Sequence, residues 1–132
     1  MTRRAWLSAA ATFGYMALIF VLSSRRAPEP ITGLGLSDRW LHLVEYGVLG
    51  FLLSDLVRTG AGGRRWLALV LLPAVVGSLY GASDEWHQSF VPGRDASFAD
   101  LAMDAVGSFA GATVRWGLGR MGASRPPDGE PG

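Results

Sequence analysis

Apolar residues fall along this chain in four long blocks, separated by short polar or glycine-rich punctuation. The first, Ala5 to Leu22, carries no charge over 18 residues. At about 1.5 Å of rise per residue it nearly crosses a hydrocarbon layer about 30 Å thick, so it predicts a membrane-spanning helix. Arg3 and Arg4 ahead of it and Ser23-Ser24 behind it also suit a signal peptide. The block is long for that role and no A-x-A site follows, so the expectation is an uncleaved anchor. Arg25 to Ser37 reads as a loop, because Pro28, Pro30, Gly33 and Gly35 break any helix there. The second block, Trp40 to Val57, contains His42, Glu45 and Asp55, and the linker Arg58 to Arg65, with Gly60, Gly62 and Gly63, turns the chain back. The third, Trp66 to Ala82, is uncharged and includes Pro73, which is expected to kink it. Ser83 to Ala99 is the most polar interior stretch, and the fourth block runs from Phe98 to about Leu118, with Asp100 near its start and Asp104 inside. Gly119 to Gly132 reads as a disordered tail. The pattern predicts an all-α fold: a four-helix transmembrane bundle with short loops over residues 1–118, followed by a tail over 119–132.

Four crossings place both termini on one side. Arg3, Arg4, Arg58, Arg64, Arg65, Arg115, Arg120 and Arg125 then share a face, against Arg25, Arg26, Arg39 and Arg94 on the other. By the positive-inside rule the termini are cytoplasmic, and Asp38 to Glu45 and Asp84 to Asp104 lie toward the outer face of the membrane, on the periplasmic or extracellular side.

Composition narrows the chemistry further. With 132 residues, 49% hydrophobic and 17% charged, there is room for one domain, and an apolar one. The absence of cysteine removes disulfides, thiolate metal sites and a cysteine nucleophile. Twelve basic against 11 acidic residues leave a net charge of +1, with no electrostatic footprint for nucleic acid.

The charged residues that remain are concentrated at one level. A charge inside the bilayer costs about 2.5 to 3.5 kcal/mol even on mild scales, so such residues tend to have a use. Asp38, His42 and Glu45 follow an i, i+4, i+7 spacing and share one helix face, as do Asp100, Asp104, Gly107 and Gly111. The third block ends in Asp84-Glu85-Trp86-His87-Gln88, where Asp84 pairs with His87 or Gln88 and Glu85 with Gln88. If these ends converge, six carboxylates (Asp38, Glu45, Asp84, Glu85, Asp100 and Asp104) meet only two nearby permanent cations, Arg39 and Arg94. Such crowding favours shared protons or an attracted cation. The Pro92-Gly93 turn should fold Arg94 over the pocket mouth as a clamp for a carboxylate.

Each feature also has a purely structural reading. His42 and Glu45 suit an interhelical hydrogen bond, Asp84 and Glu85 a helix end in interfacial water, and Asp100 an N-terminal cap after Ser97. Asp55 and Arg58 read as an exposed i, i+3 ion pair. The pairs Gly77/Gly81 and Gly107/Gly111 read as helix packing, and Trp40, Trp66, Trp86 and Trp116 as interface anchors.

Ser23-Ser24, Asp38-Arg39-x-x-His42-x-x-Glu45-Tyr46-x-x-Leu49-Gly50, and above all Tyr80-Gly81-Ala82-Ser83-Asp84-Glu85-Trp86-His87-Gln88-Ser89-Phe90-Val91-Pro92-Gly93-Arg94 resemble the VanZ-like family of small bacterial membrane proteins. The resemblance runs from about Trp6 to Leu118. Arg39 stands where the family usually has lysine, and Asp104 where asparagine is common. The resemblance implies a membrane fold with a pocket, and its namesake's link to low-level teicoplanin resistance implies action at the outer membrane face.

Three functions compete. The leading one is a protein whose outward acidic pocket, with Asp38, Arg39, His42, Glu45, Tyr46, Asp84, Glu85, His87, Gln88, Arg94, Asp100 and Asp104 as ligand-binding residues, takes a lipid headgroup or the cationic part of a glycopeptide-like molecule. The second is an enzyme on a lipid-linked or phosphate-bearing substrate, with Glu85 or Asp84 as general base, His87 or His42 as acid, and Arg94 on a phosphate. No Ser elbow, HExxH or phosphate loop accompanies these residues. Two histidines with several carboxylates could hold a divalent cation, although their spacings match no metal motif, and no metal ligand or cofactor is assigned. The third, a proton-linked transporter, would need an oligomer to build a path from four spans.

Overall fold

The computed structural model describes residues 2–25, 38–61 and 65–123. Helix α1 covers Arg3–Ser23, α2 Asp38–Ala61, α3 Leu72–Gln88 and α4 Phe98–Ala123, and a π-helical turn, Leu67–Leu71, leads into α3. Among the described residues there is no strand. The fold is the expected all-α four-helix bundle, and α1, Arg39–Gly60 of α2 and Leu67–Gln88 are long and apolar enough to cross a membrane. The expected loop with Pro28, Pro30, Gly33 and Gly35, the glycines Gly62 and Gly63, and residues 124–132 of the expected tail lie outside the described residues.

Three helices overrun the limits read from hydropathy. Helix α2 continues four residues past Val57, and α4 continues five past Leu118, through the start of the expected tail. Helix α3 takes in the polar run to Gln88. Apolarity marks the part of a helix that faces lipid, whereas backbone hydrogen bonding continues until something stops it. At α3 the helical ladder gives way after Gln88 to tighter turns, with the Phe90 N–H donating to the His87 carbonyl and the Val91 N–H to that of Gln88, ahead of Pro92.

The exterior and interior are inverted relative to a water-soluble protein. Leu7, Phe13, Val44, Leu79 and Val114 are exposed, while Ser8, Thr12, Ser54, Asp84, Asp104 and Ser108 are buried. That arrangement suits a lipid environment, in which polar groups find partners only inside the bundle. Ile19, Tyr46, Leu49 and Leu53 form the apolar core, with Tyr15, Met16, Val76 and Tyr80 packed against it. Hydroxyls then tie the helices together. Tyr15 donates to the Glu45 carbonyl (3.2 Å) and Tyr80 to that of Met16 (2.7 Å).

Helices α2 and α4 approach closely enough to exclude side chains. A Cβ on Gly111 would strike the Gly47 carbonyl, one on Gly107 the Leu43 carbonyl, and one on Gly50 the Ser108 backbone. Gly77 and Gly81 of α3 similarly face the side chains of Ser108 and Asp104. The glycine pairs therefore act in packing, as their spacing implied.

Just before Pro73, where a kink is expected, the chain makes a π-helical turn, Leu67–Leu71. Proline has no N–H, so the Leu69 carbonyl lacks its usual helical donor, residue 73. Ser54 of α2 supplies one instead, its hydroxyl donating to the Leu69 carbonyl at 2.6 Å. The turn widens the helix where α2 reaches in.

The expected Asp55–Arg58 pair does not form. Asp55 accepts from Arg115 Nε at 2.7 Å and from a second guanidinium nitrogen of the same residue. It also accepts from Ser8 Oγ at 2.9 Å, with Arg4 3.9 Å away. Arg58 instead donates to the Gly119 carbonyl. One carboxylate thereby joins α1, α2 and α4 at one end of the bundle. The spacing rule failed because a buried guanidinium from another helix outcompetes a solvated neighbour on the same one.

Candidate functional site

The opposite end of the bundle holds the polar groups. The last turn of α1, the first two turns of α2, the last turns of α3 and the start of α4 meet there, because the helices run alternately up and down. Three links fix the junction. His42 Nδ1 lies 2.9 Å from Asp104 Oδ1, joining α2 to α4. Ser23 Oγ donates to Asp84 Oδ1 at 2.5 Å, joining α1 to α3. The backbone N–H of Ser97 donates to Glu85 Oε2 at 2.7 Å, tying α3 to the entrance of α4.

Successive residues on a helix point about 100° apart, so Asp84 and Glu85 serve different neighbours. Asp84 faces α1 and also accepts from Gln88 Nε2 at 2.8 Å, the i, i+4 pairing anticipated. Glu85 faces α4 and does not pair with Gln88. Its Oε1 is buried and has no hydrogen-bond partner among the described residues. His87 turns away from this junction. Its Nε2 lies 3.0 Å from Ser24 Oγ and its ring packs on Phe20 at 4.7 Å, on the outer flank between α1 and α3. It is therefore separated from His42 and Glu85, because its position on the turn faces α1.

The remaining candidates divide similarly. Tyr46 is fully buried beneath His42, with ring centroids 6.5 Å apart, and its hydroxyl has no hydrogen-bond partner among the described residues. Arg39 is largely exposed and stands 3.9 Å from Asp100. Asp100 is not the cap of α4: Ser97 is, accepting the Asp100 N–H on its hydroxyl (3.4 Å) and the Leu101 N–H on its carbonyl. Asp100 occupies the first turn with Oδ1 buried. The side chain of Asp38 lies outside the described residues.

A cavity of about 510 Å³ opens between α1, α2 and α3. Glu45, Asp84, His42, Gln88, Ser23, Arg25 and Arg94 supply its polar lining, and Leu22, Leu41, Val44 and Tyr15 the apolar part. Arg94 reaches it through the anticipated turn. The Arg94 N–H donates to the Val91 carbonyl at 3.1 Å across Pro92-Gly93, and Gly93 sits at φ +83°, as a type II turn requires at that position.

The carboxylates at this end of the bundle fall into two neighbouring groups that still act on each other, since Glu45 feels the charge of both Asp84 and Asp104. Glu45 and Asp84 line the cavity with Arg25 and Arg94, whereas Glu85, Asp100 and Asp104 lie across His42 on the α4 side. One potential ligand atom each from His42, Glu85 and Asp100 falls within 4.8 Å of the others. Sequence reasoning missed Tyr15, Arg25 and Ser97. Tyr15 carries a signal as a phenol inside a membrane span, and Ser97 as a capping residue just ahead of the fourth block, whereas Arg25 is placed by the packing alone.

The VanZ/LLP1 family model matches residues 9–118. The chain belongs to the VanZ/LLP1 family. The match runs from Ala9 in α1 through α2 and α3 to Leu118 in α4, and takes in every residue of the polar junction. No curated protein and no solved structure matches the chain.

Proposed function

We propose that this VanZ/LLP1 protein is a multi-pass protein of the bacterial cytoplasmic membrane whose polar cavity faces outward and binds a zwitterionic envelope lipid by its headgroup. The observation that carries this reading is the mixed lining of the cavity: two carboxylates, two guanidinium groups and an apolar wall within one opening of about 510 Å³. That volume lies in the ordinary range for ligand sites, about 300–1,000 Å³. Glu45 and Asp84 suit an amine, Arg25 and Arg94 a phosphate, and Leu22, Leu41 and Val44 the first carbons of an acyl chain. The cationic amine of a glycopeptide of the teicoplanin type would meet the same carboxylates, which links the site to the resistance associated with the family's namesake. The arginine distribution supports cytoplasmic termini and hence the outward orientation.

Native mass spectrometry of protein released from vesicles containing equal phosphatidylethanolamine and phosphatidylglycerol tests the reading. The wild type should retain the zwitterionic lipid selectively, and Glu45→Gln with Arg94→Ala should lose that selectivity. Cells producing the wild type should also tolerate more teicoplanin than cells producing the double variant. Equal lipid retention by both proteins, at equal membrane insertion, would overturn the proposal.

A second reading has one observation in its favour. His42, held by Asp104 and close to Glu85, is the arrangement of an oriented acid–base pair. An enzyme on a lipid-linked phosphate would use that pair, and release of inorganic phosphate from such lipids by wild type but not by His42→Gln is the matching assay.

A further inference from the structure

His42, Glu85 and Asp100 come from three helices, α2, α3 and α4, and no local sequence spacing relates them. Their closest potential ligand atoms nevertheless lie within 4.8 Å of one another. His42 and Glu85 are each more than nine-tenths buried. Two carboxylate oxygens of the group are buried without a hydrogen bond among the described residues: Glu85 Oε1 and Asp100 Oδ1. Burying an acceptor without a donor is costly, and two carboxylates side by side repel, so the arrangement calls for a positive centre between them. The nearest fixed cation, Arg39, stays 3.9 Å from Asp100 on a mostly exposed side chain.

We propose that His42, Glu85 and Asp100 form a binding site for one divalent transition-metal ion, with zinc as its best match. Two carboxylates neutralise the ion's charge, which a poorly hydrated interior demands. An imidazole ligand favours zinc over magnesium or calcium, which prefer all-oxygen sites. Neighbouring ligand atoms around a tetrahedral zinc lie about 3.4 Å apart, given bonds of about 2.1 Å, so small carboxylate rotations bring the three within range. Three protein ligands leave a fourth position for water or for an oxygen of the bound molecule.

Asp104 strengthens the assignment. It engages His42 through Nδ1 at 2.9 Å, which holds the ring in place. Carboxylate–histidine–metal relays of this kind recur around bound zinc. Ser97 does the same for Glu85, holding Oε2 while Oε1 stays buried without a hydrogen bond among the described residues. His42 also borders the lipid cavity, so the ion would sit behind one wall of that site.

The test uses the full-length chain without a histidine tag, in detergent, stripped with EDTA and titrated with zinc chloride. Calorimetry and elemental analysis should give one zinc per chain, not displaced by excess magnesium. Glu85→Gln and Asp100→Asn should each weaken binding at least tenfold. Asp104→Asn, a change in a positioning residue, should weaken it roughly 10- to 100-fold with the stoichiometry intact. Asp95→Asn, an exposed acid outside the group, should bind as the wild type does. Cobalt substitution should give visible bands of a low-symmetry nitrogen and oxygen site, altered in Asp100→Asn. Absence of saturable zinc binding by the wild type, whatever the variants do, overturns the proposal, as does full binding by a Glu85→Gln/Asp100→Asn protein of normal helix content. The lipid assay turns on Glu45 and Arg94, so either proposal can fail while the other stands.

Discussion

Single residues matter here where a bilayer offers no substitute partner. Asp55 holds Arg115, Ser8 and Arg4 at once, and Arg115 is largely buried. Removing the carboxylate strands a guanidinium, which costs about 3 kcal/mol for a buried pair broken on one side. We expect Asp55→Ala to lower the thermal unfolding midpoint in detergent by several degrees, and Arg58→Ala to leave it nearly unchanged, measured by scanning fluorescence of the tryptophans. Gly93 is the second such position. Its φ of +83° penalises any side chain, by roughly 1–2 kcal/mol. Gly93→Ala should therefore displace Arg94 from the cavity and weaken headgroup retention, with the helical circular dichroism signal intact.

Among the elements, α2 with α4 is the closest pair. Gly111→Leu places a side chain against the Gly47 backbone, which cannot move aside as a flexible side chain would. Overpacking of that kind costs about 1–3 kcal/mol or more. At Gly117 a Cβ would meet nothing within 4 Å, so alanine should be accepted there without loss, and the contrast between the two melting curves checks the packing. The π turn makes a sharper case. Ser54→Ala leaves the Leu69 carbonyl without its hydroxyl donor, at about 1–3 kcal/mol. Restoring the backbone donor with Pro73→Ala should recover part of that loss, and a double-mutant cycle measures the coupling. Hydropathy located the centres of these helices but missed their ends: charged and glycine-containing turns at 58–61, 83–88 and 119–123 stay helical for lack of a stop signal.

For the whole molecule, alternate helices bring polar groups together at both ends, α1, α2 and α4 at Asp55 and all four helices around His42 and Asp84, with an apolar core between. The chain has no cysteine, so single introduced thiols report topology without background. Ser89→Cys should react with a membrane-impermeant maleimide on intact cells, and Met121→Cys only after permeabilisation. The reverse labelling would turn the cavity toward the cytoplasm.

The helical class, the blocks able to cross a membrane and the polar candidates themselves are all legible in the sequence, because lipid imposes its demand locally: an uninterrupted apolar run is needed wherever the chain meets hydrocarbon, and a charge within it stands out. Partnership is not local in this sense. Asp55 chooses Arg115 over Arg58, Asp84 and Glu85 diverge toward α1 and α4, and His87 leaves the group that His42 joins. Rotation of each helix about its own axis, set by glycine contacts far along the chain, determines which side chains meet. Only the packed bundle could set these carboxylates around the polar cavity and the neighbouring His42 cluster.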